Sequence, residues 1–330
     1  MSELNVLVSS AGRRVILVDL FRRALRDLGL AGKVIATDMV RLSATFHHAD
    51  LGLVVPRCTS DEFVPVMLEL CRQHRVKLII PTIDTELPIY AAHREEFRSE
   101  GIEVAVSSPE AVAIAGDKVN THRWLTEAGL PTVRQTEPEE LLAAPGSWRF
   151  PLIVKPRGGS LSQGVARVHD EAALRTATSA GGFIVQTIAP GHEFTIDALA
   201  NRSGKCVCAV PRRRLEVRGG EISKGLTVRS EPLESLAQRA CEALPGAYGG
   251  LNVQIFLDEA SGELNIIEVN ARFGGGFPLS CEAGANYPRW LIEELLGLPS
   301  TASATAWEGD RVMLRYDDAV FVSAEEAGLR

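Results

Sequence analysis

Asn252-Val253-Gln254-Ile255-Phe256-Leu257-Asp258 and Glu263-Leu264-Asn265-Ile266-Ile267-Glu268-Val269-Asn270 are two apolar runs that carry oxygen-bearing side chains at alternate positions. The intervening Glu259-Ala260-Ser261-Gly262 suits a hairpin loop. Pairing symmetric about Ser261 sets Gln254 opposite Glu268 and Asn252 opposite Asn270, and a period of two puts Glu268 and Asn270 on one face. On the same count Phe256, Leu264 and Ile266 share that face. A carboxylate and amides are unfavourable in such surroundings unless something pairs with them. Magnesium fits, because it takes oxygen ligands, one or two carboxylates among them, and leaves its other positions to water and phosphate. Gln254, Glu268 and Asn270 are therefore candidate metal ligands. A polar hairpin face open to solvent is the competing reading.

Outward from the hairpin, Ala271-Arg272-Phe273-Gly274-Gly275-Gly276 follows at once. Arg272 suits a developing negative charge, and Gly275 and Gly276 allow a substrate close to the backbone. Upstream, Pro211-Arg212-Arg213-Arg214-Leu215-Glu216-Val217 reads as a strand with Arg212 and Arg214 on one side and Arg213 on the other, so at least one arginine is solvated. Further upstream, an apolar strand delivers Lys155 to the loop Pro156 to Gly164. Glycines there turn N–H groups toward phosphate oxygens, and Lys155 adds a point charge; a plain hairpin turn is the alternative. Phe183 to Thr187 is a strand running into Ala189-Pro190-Gly191, after which Glu193 opens another. Unpaired backbone groups at such a break can read a flat heterocycle, with Glu193 accepting from ribose hydroxyls.

The first third alternates short Val- and Ile-rich runs (Asn5–Val8, Lys33–Ala36, Leu51–Val55, Leu78–Ile80, Glu103–Val106) with amphipathic stretches, Val15–Leu28 and Phe63–His74. That pattern predicts βαβ units and a parallel sheet, with ligands outside the carboxyl ends of the strands. Two loops fall there, Ser9 to Arg14 and Pro81 to Glu86. The first has a single glycine where a dinucleotide fingerprint needs three, which weighs against NAD. Its amides and Arg13 or Arg14 suit a small anion instead, and a well-capped structural loop is the alternative. Beyond residue 116 a helix runs from Asp117-Lys118 to Ala128 and is stopped by Gly129-Leu130-Pro131. Strands with antiparallel turns dominate from Leu152 onward. Pro138 to Ser147 reads as a polar link, and Arg311–Val322 as one returning strand.

The 330 residues carry a formal charge of −7, 45% hydrophobic and 23% charged residues. This is ordinary for a folded enzyme and argues against a nucleic-acid footprint. The six cysteines lack CxxC spacing; Cys206 and Cys208 alternate on a strand, both toward one side, and read as reduced structural thiols. The chain starts almost directly with a strand and has no apolar run long enough to span a bilayer, so a cytoplasmic location without membrane association is expected.

In this order the motifs resemble the ATP-grasp superfamily over nearly the whole chain, most closely the branch of the carbamoyl-phosphate synthase large subunit and the pyrrolysine-biosynthesis amino-acid ligase. The resemblance implies an α/β and α+β protein. Its parallel, Rossmann-like pre-ATP-grasp domain would span residues 1–115, a first ATP-grasp lobe 116–189 and a second lobe 190–330, with antiparallel sheets in both lobes. It further implies ATP and Mg²⁺ as cofactors, with Mn²⁺ able to substitute. Lys118 and Lys155 match the phosphate-binding basic positions, and Gly158, Gly159, Ser160 and Gly164 fall in the phosphate lid. Gln186 and Ile188 match the adenine hinge, where glutamate is usual at the first position, and Glu193 the ribose carboxylate. Gln254, Glu268 and Asn270 match the metal set, and Arg272 the arginine that steadies the transferred phosphoryl group, assisted by Arg212 or Arg214. Ser10, Arg13, Glu86, Gly275 and Gly276 are the expected substrate contacts. The expected reaction is ADP-forming ligation of a carboxylate, such as an amino acid, to an amine through an acyl phosphate. The partners are those small molecules and, as a further expectation, a second copy of the chain. A bicarbonate-using synthase or carboxylase and a non-catalytic nucleotide-binding module are the alternatives.

Overall fold

A computed structural model describes residues 3–159 and 164–329. The first third forms a wholly parallel sheet of order β3-β2-β1-β4-β5, from β1 (Asn5–Ser9), β2 (Val34–Asp38), β3 (Leu51–Val54), β4 (Val76–Pro81) and β5 (Glu103–Val104). Alternation along β1 sends Leu7 to one core and Val6 and Val8 to another. Helix Phe63–Gln73 covers the first face with Phe63, Met67 and Leu68, and helix Val15–Asp27 the second with Leu17, Phe21 and Leu25. Both faces are thus buried, as a parallel sheet requires.

Helix Lys118–Glu127 is capped by Asp117, whose carboxylate accepts from Val119 N and Asn120 N. It leads to a four-stranded antiparallel sheet, order β6-β9-β7-β8, from β6 (Gln135–Thr136), β7 (Leu152–Pro156), β8 (Ala166–Val168) and β9 (Phe183–Thr187). The segment read as a polar link, Pro138 to Ser147, is instead a helix (Pro138–Ala143) followed by a single 3₁₀ turn. Leu141 decides this, since it is fully buried against Leu152, Val154 and Leu174. Burial of one side chain outweighs a weak local pattern.

The largest sheet is antiparallel, order β14-β13-β10-β11-β12-β15, from β10 (His192–Ala200), β11 (Cys206–Arg218), β12 (Glu221–Thr227), β13 (Gly249–Leu257), β14 (Leu264–Asn270) and β15 (Val312–Leu314). The returning strand expected over Arg311–Val322 is realised only as β15, paired to β12 at the sheet edge. In the hairpin, Asn252 faces Asn270 and Gln254 faces Glu268, the pairing expected from symmetry about Ser261. Closer to the turn the register slips, so that Ile255 faces Ile266 and Phe256 faces Asn265. Ile267 is the extra residue of a β-bulge. Ile266 therefore turns into the core, and Ile267, not Ile266, joins Phe256 on the side of Glu268. A second register shift, near Ala200, separates Cys206 and Cys208 into different cores, against the expectation that both face one side.

Candidate active site

A cavity of about 350 Å³ opens between the four-stranded lobe and the large sheet. The lobe brings Lys118, Lys155, Gly158, Gly159, Gln186 and Ile188 to it, and the large sheet brings Glu193, Arg212, Arg214, Gln254, Glu268 and Asn270. Arg272, Gly275 and Gly276 close the far end. Apolar walls face one another across it, Ile153 and Val165 on one side and Phe256 and Ile267 on the other, which suits a flat heterocycle. Gly164 does not line this cavity, and Ser160 lies outside the described residues.

Lys155 lies one residue before the end of β7, paired with Ile184, and lines the cavity. Burial pushes its ammonium below the ordinary lysine range, and the nearby Glu268 holds part of that shift back. Among the described residues no carboxylate lies within ion-pair distance of it, so it is a half-buried cation suited to an incoming anion. Lys118 Nζ donates to the Gly159 carbonyl at 3.2 Å, tying the helix start to the glycine loop. Gln186 is buried and donates through Nε2 to Gln135 Oε1 at 2.7 Å, while Gln135 Nε2 donates to the Lys118 carbonyl at 3.1 Å. This amide chain leaves the Gln186 carboxamide oxygen without a protein donor among the described residues.

The three arginines expected to stabilise the transferred charge, Arg212, Arg214 and Arg272, are all ion-paired. Arg212 is 2% exposed and forks onto Asp197 at 2.6 and 2.9 Å. Asp197 also accepts from Asn252 Nδ2 and Ser280 Oγ, so its charge is fully used. Arg214 donates to Glu193 at 2.8 Å, and Arg272 forks onto Asp84 with both distances 2.7 Å. The competition is between a phosphate and a carboxylate already in place. Arg212 lines the cavity while held in a buried pair with Asp197. Its guanidinium occupies the space where a Cβ on Gly276 would lie, which is why only glycine fits there.

One carboxylate, Glu268, faces two amides, Gln254 and Asn270; Asn270 Nδ2 donates to Glu268 Oε1 at 3.1 Å. Among the described residues no three His, Cys, Asp or Glu side chains gather at one point. The donor set is thus of the oxygen type that suits magnesium with phosphate and water, once the Asn270 amide presents its oxygen.

A second cavity, about 190 Å³, lies between the strand-end loops of the N-terminal sheet and Gly274–Gly275. Ser10 and Arg13 line it, but Glu86 lines neither cavity. Glu86 is fully buried and accepts from Ser9 Oγ, Ser10 Oγ, Thr82 N and Ile83 N, all within 3.2 Å. Burial pushes its carboxyl up, and those four donors oppose the shift. It is a knot joining two loops, not the substrate contact expected from its place in the sequence. Arg13 is 80% exposed, and its neighbour Arg14, half-buried, lines both cavities. Asp84, Asp197, Gln135, Glu221 and Arg315 also belong to these walls or hold them. Only Asp197, an acid inside an apolar strand, carried a local signal; the others are brought in by distant pairings.

The family described as "PylC-like, N-terminal domain" matches residues 6–105, and that described as "ATP-grasp in the biosynthetic pathway with Ter operon" matches residues 180–316. The carbamoyl phosphate synthase large chain of Bifidobacterium animalis subsp. lactis is 22% identical over 307 residues, 84% of this chain and 26% of that one. The chain thus spans about a quarter of the length of the synthase large chains it matches. A D-alanine–D-alanine ligase of Stutzerimonas stutzeri is 31% identical over 188 residues, 52% of this chain and 59% of that one. Among solved structures, the biotin carboxylase domain dimer of the Hydrogenobacter thermophilus 2-oxoglutarate carboxylase, in complex with magnesium ADP, ADP and bicarbonate, superposes with a TM-score of 0.71. The identity there is 19%, covering 93% of this chain and 73% of that one. No helix among the described residues is long and apolar enough to cross a membrane. With a PylC-like match over the parallel N-terminal sheet, an ATP-grasp match over residues 180–316 and a cleft between lobe and sheet, the chain is similar to ATP-grasp enzymes along most of its length.

Proposed function

We propose that the chain is a Mg·ATP-dependent ligase that activates a carboxylate as an acyl phosphate, passes it to an amine and releases ADP and phosphate. The observation that carries this reading is the opposition, across one cavity, of the unpaired Lys155 and the set Gln254, Glu268 and Asn270. Lys155 and Lys118 hold nucleotide phosphates, and the Gln186 oxygen accepts from the base amino group. Glu193, kept in place by Arg214, faces the ribose. Glu268, Gln254 and Asn270 would hold magnesium, which when bound offsets phosphate charge. Arg272, fixed by Asp84, sits where negative charge develops as the carboxylate attacks the γ-phosphoryl group. The new C–O–P bond forms as the bond to the ADP oxygen breaks, and the amine later displaces phosphate. Positioning and electrostatics do most of this work. In this reading the partners are a small carboxylate and a small amine, and gel filtration tests self-association.

A second reading, with bicarbonate as the carboxylate, draws on the bicarbonate in the 2-oxoglutarate carboxylase complex. A screen of ADP release over carboxylate and amine pairs separates the two. Ligation predicts release that needs both an organic acid and an amine, and a hydroxamate when hydroxylamine replaces the amine. Release with bicarbonate alone selects the second reading, and AMP as product overturns both.

A further inference from the structure

The second cavity is more positive than its role as a neighbour of the nucleotide site requires. Arg13, Arg14 and Arg315 line it against one carboxylate, Glu221. Arg315 Nη1 donates to Glu221 Oε2 at 3.0 Å, and Arg13 Nη2 lies 3.8 Å from Glu221 Oε1. Arg14 is left over. Its guanidinium makes one hydrogen bond among the described residues, a long one of 3.5 Å from Nη2 to the Thr82 carbonyl. Arg272 also faces Arg14, but Asp84 matches that charge. Four guanidinium groups thus share two carboxylates. Part of this excess lies outside the nucleotide site, since Arg13 and Arg315 line the second cavity alone, whereas Arg14, Glu221, Gly274 and Gly275 line both.

Apolar wall comes from Ile16 and Leu17 at the start of helix Val15–Asp27 and from Phe277 and Pro278 after the glycines, with Ser10 and Thr82 as the uncharged polar side chains beside them. At about 190 Å³ the space falls below the roughly 300 Å³ at which pockets for drug-sized ligands begin. It suits a short carbon skeleton with charged ends. A zwitterion would leave the excess positive charge in place, and a monoanion would meet only part of it.

We propose that this cavity binds the acid substrate of the ligase, and that this acid carries a second anionic group, a carboxylate or a phosphate ester, besides the carboxylate that reacts. The reacting carboxylate lies at Arg14, where the two cavities join. The second anionic group lies at Arg315 and Arg13, and the skeleton packs on Leu17, Phe277 and Pro278. Glu221 orients Arg315 and offsets part of its charge, and the positive charge left over disfavours cationic side groups there. This inference rests on the ligase reading for which carboxylate reacts, but the charge preference can be measured without turnover.

The test is calorimetric titration of the full chain, without nucleotide, with succinate, O-phosphoserine, butyrate and alanine. Succinate or O-phosphoserine should bind at least about tenfold more tightly than butyrate or alanine, the scale of one charge-assisted contact. Which of the two dianions binds more tightly separates a carboxylate from a phosphate ester as the second group. Arg315→Gln should erase most of that preference while ATP affinity, set in the other cavity, stays within about twofold. Should Arg315→Gln fail to fold, Ile16→Glu serves instead, because it adds a negative charge at a partly exposed helix position of the same wall. Equal affinity for mono- and dianions, a preference that survives both variants, or no acid binding at about 10 mM would overturn the proposal. A chain that binds dianions but not ATP would keep the anion site and refute the ligase reading.

Discussion

Leu141, Leu152, Val154, Val168, Leu174 and Val185 close a small core inside the four-stranded lobe. The N-terminal sheet has no core of its own. Leu7, Ile79 and Val104 pack in one cluster with Leu251, Val253 and Ile255 of the large sheet, and Val6, Val8 and Phe21 in another with Phe277, Tyr287 and Trp290. Two sheets that differ in every topological respect are therefore one cooperative body, while a lobe that continues the chain between them stands apart. The larger cavity lies across that division. Lys155 and Gln186 ride on the lobe and Gln254, Glu268 and Asn270 on the body, while Lys118 starts a helix that packs Trp124 and Leu125 into the body and reaches Gly159 of the lobe with its ammonium. Independent stability and shared chemistry are thus separate properties of a segment.

Truncating each core gives the largest effect and the most direct test of this division. Leu251→Ala in the body and Leu152→Ala in the lobe should each cost about 2–5 kcal/mol. Leu251→Ala should lower the main thermal transition. Leu152→Ala should instead speed hydrogen exchange within residues 135–187 and weaken ATP binding, leaving the main transition almost in place. A single coincident transition lowered equally by both variants would break the comparison.

Removing the charges that face each other across the division comes next. Lys155→Ala should reduce ATP affinity and turnover about a hundredfold, close to 3 kcal/mol. Glu268→Gln should reduce magnesium-dependent turnover on a similar scale with little change in melting temperature. Near-normal kinetics in either folded variant would remove that side of the site.

Glu86→Ala probes the body alone. It strands two hydroxyls and two backbone N–H groups in a buried knot, at a cost of about 1–3 kcal/mol. Thermal melting should register this with or without nucleotide. Unchanged melting with an altered acid affinity would return Glu86 to the substrate contacts.

The smallest effect is a pH dependence. In the ligase reading Lys155 would hold phosphate when protonated, and burial lowers its pKa below the ordinary value of about 10.4. ATP affinity should therefore fall a few-fold as pH rises from 7 through the lowered pKa. Lys155→Arg stays charged and should abolish the fall; the same fall in that variant would assign it to another group.

Local pattern sufficed wherever one element's own periodicity sets a face. The alternation of runs from Asn5 to Val106, the cap at Asp117 and the pairing of Gln254 with Glu268 were all legible, because each depends on residues a few positions apart. Pro138–Ala143 was not, since its helix depends on Leu141 meeting a core built from later strands.

What the sequence by itself determined is the order of most elements, and that one carboxylate and two amides fall at facing or alternate positions of one hairpin. Tertiary structure alone decided which charges are spent. Arg272 meets Asp84 across 188 positions and Arg315 meets Glu221 across 94. It also decided that a bulge turns Ile267, in place of Ile266, toward the cavity. The reason is physical. Periodicity encodes the face on which a side chain leaves its element, whereas the partner it meets there depends on how separate elements pack, and a single register slip reverses the face for every residue beyond it.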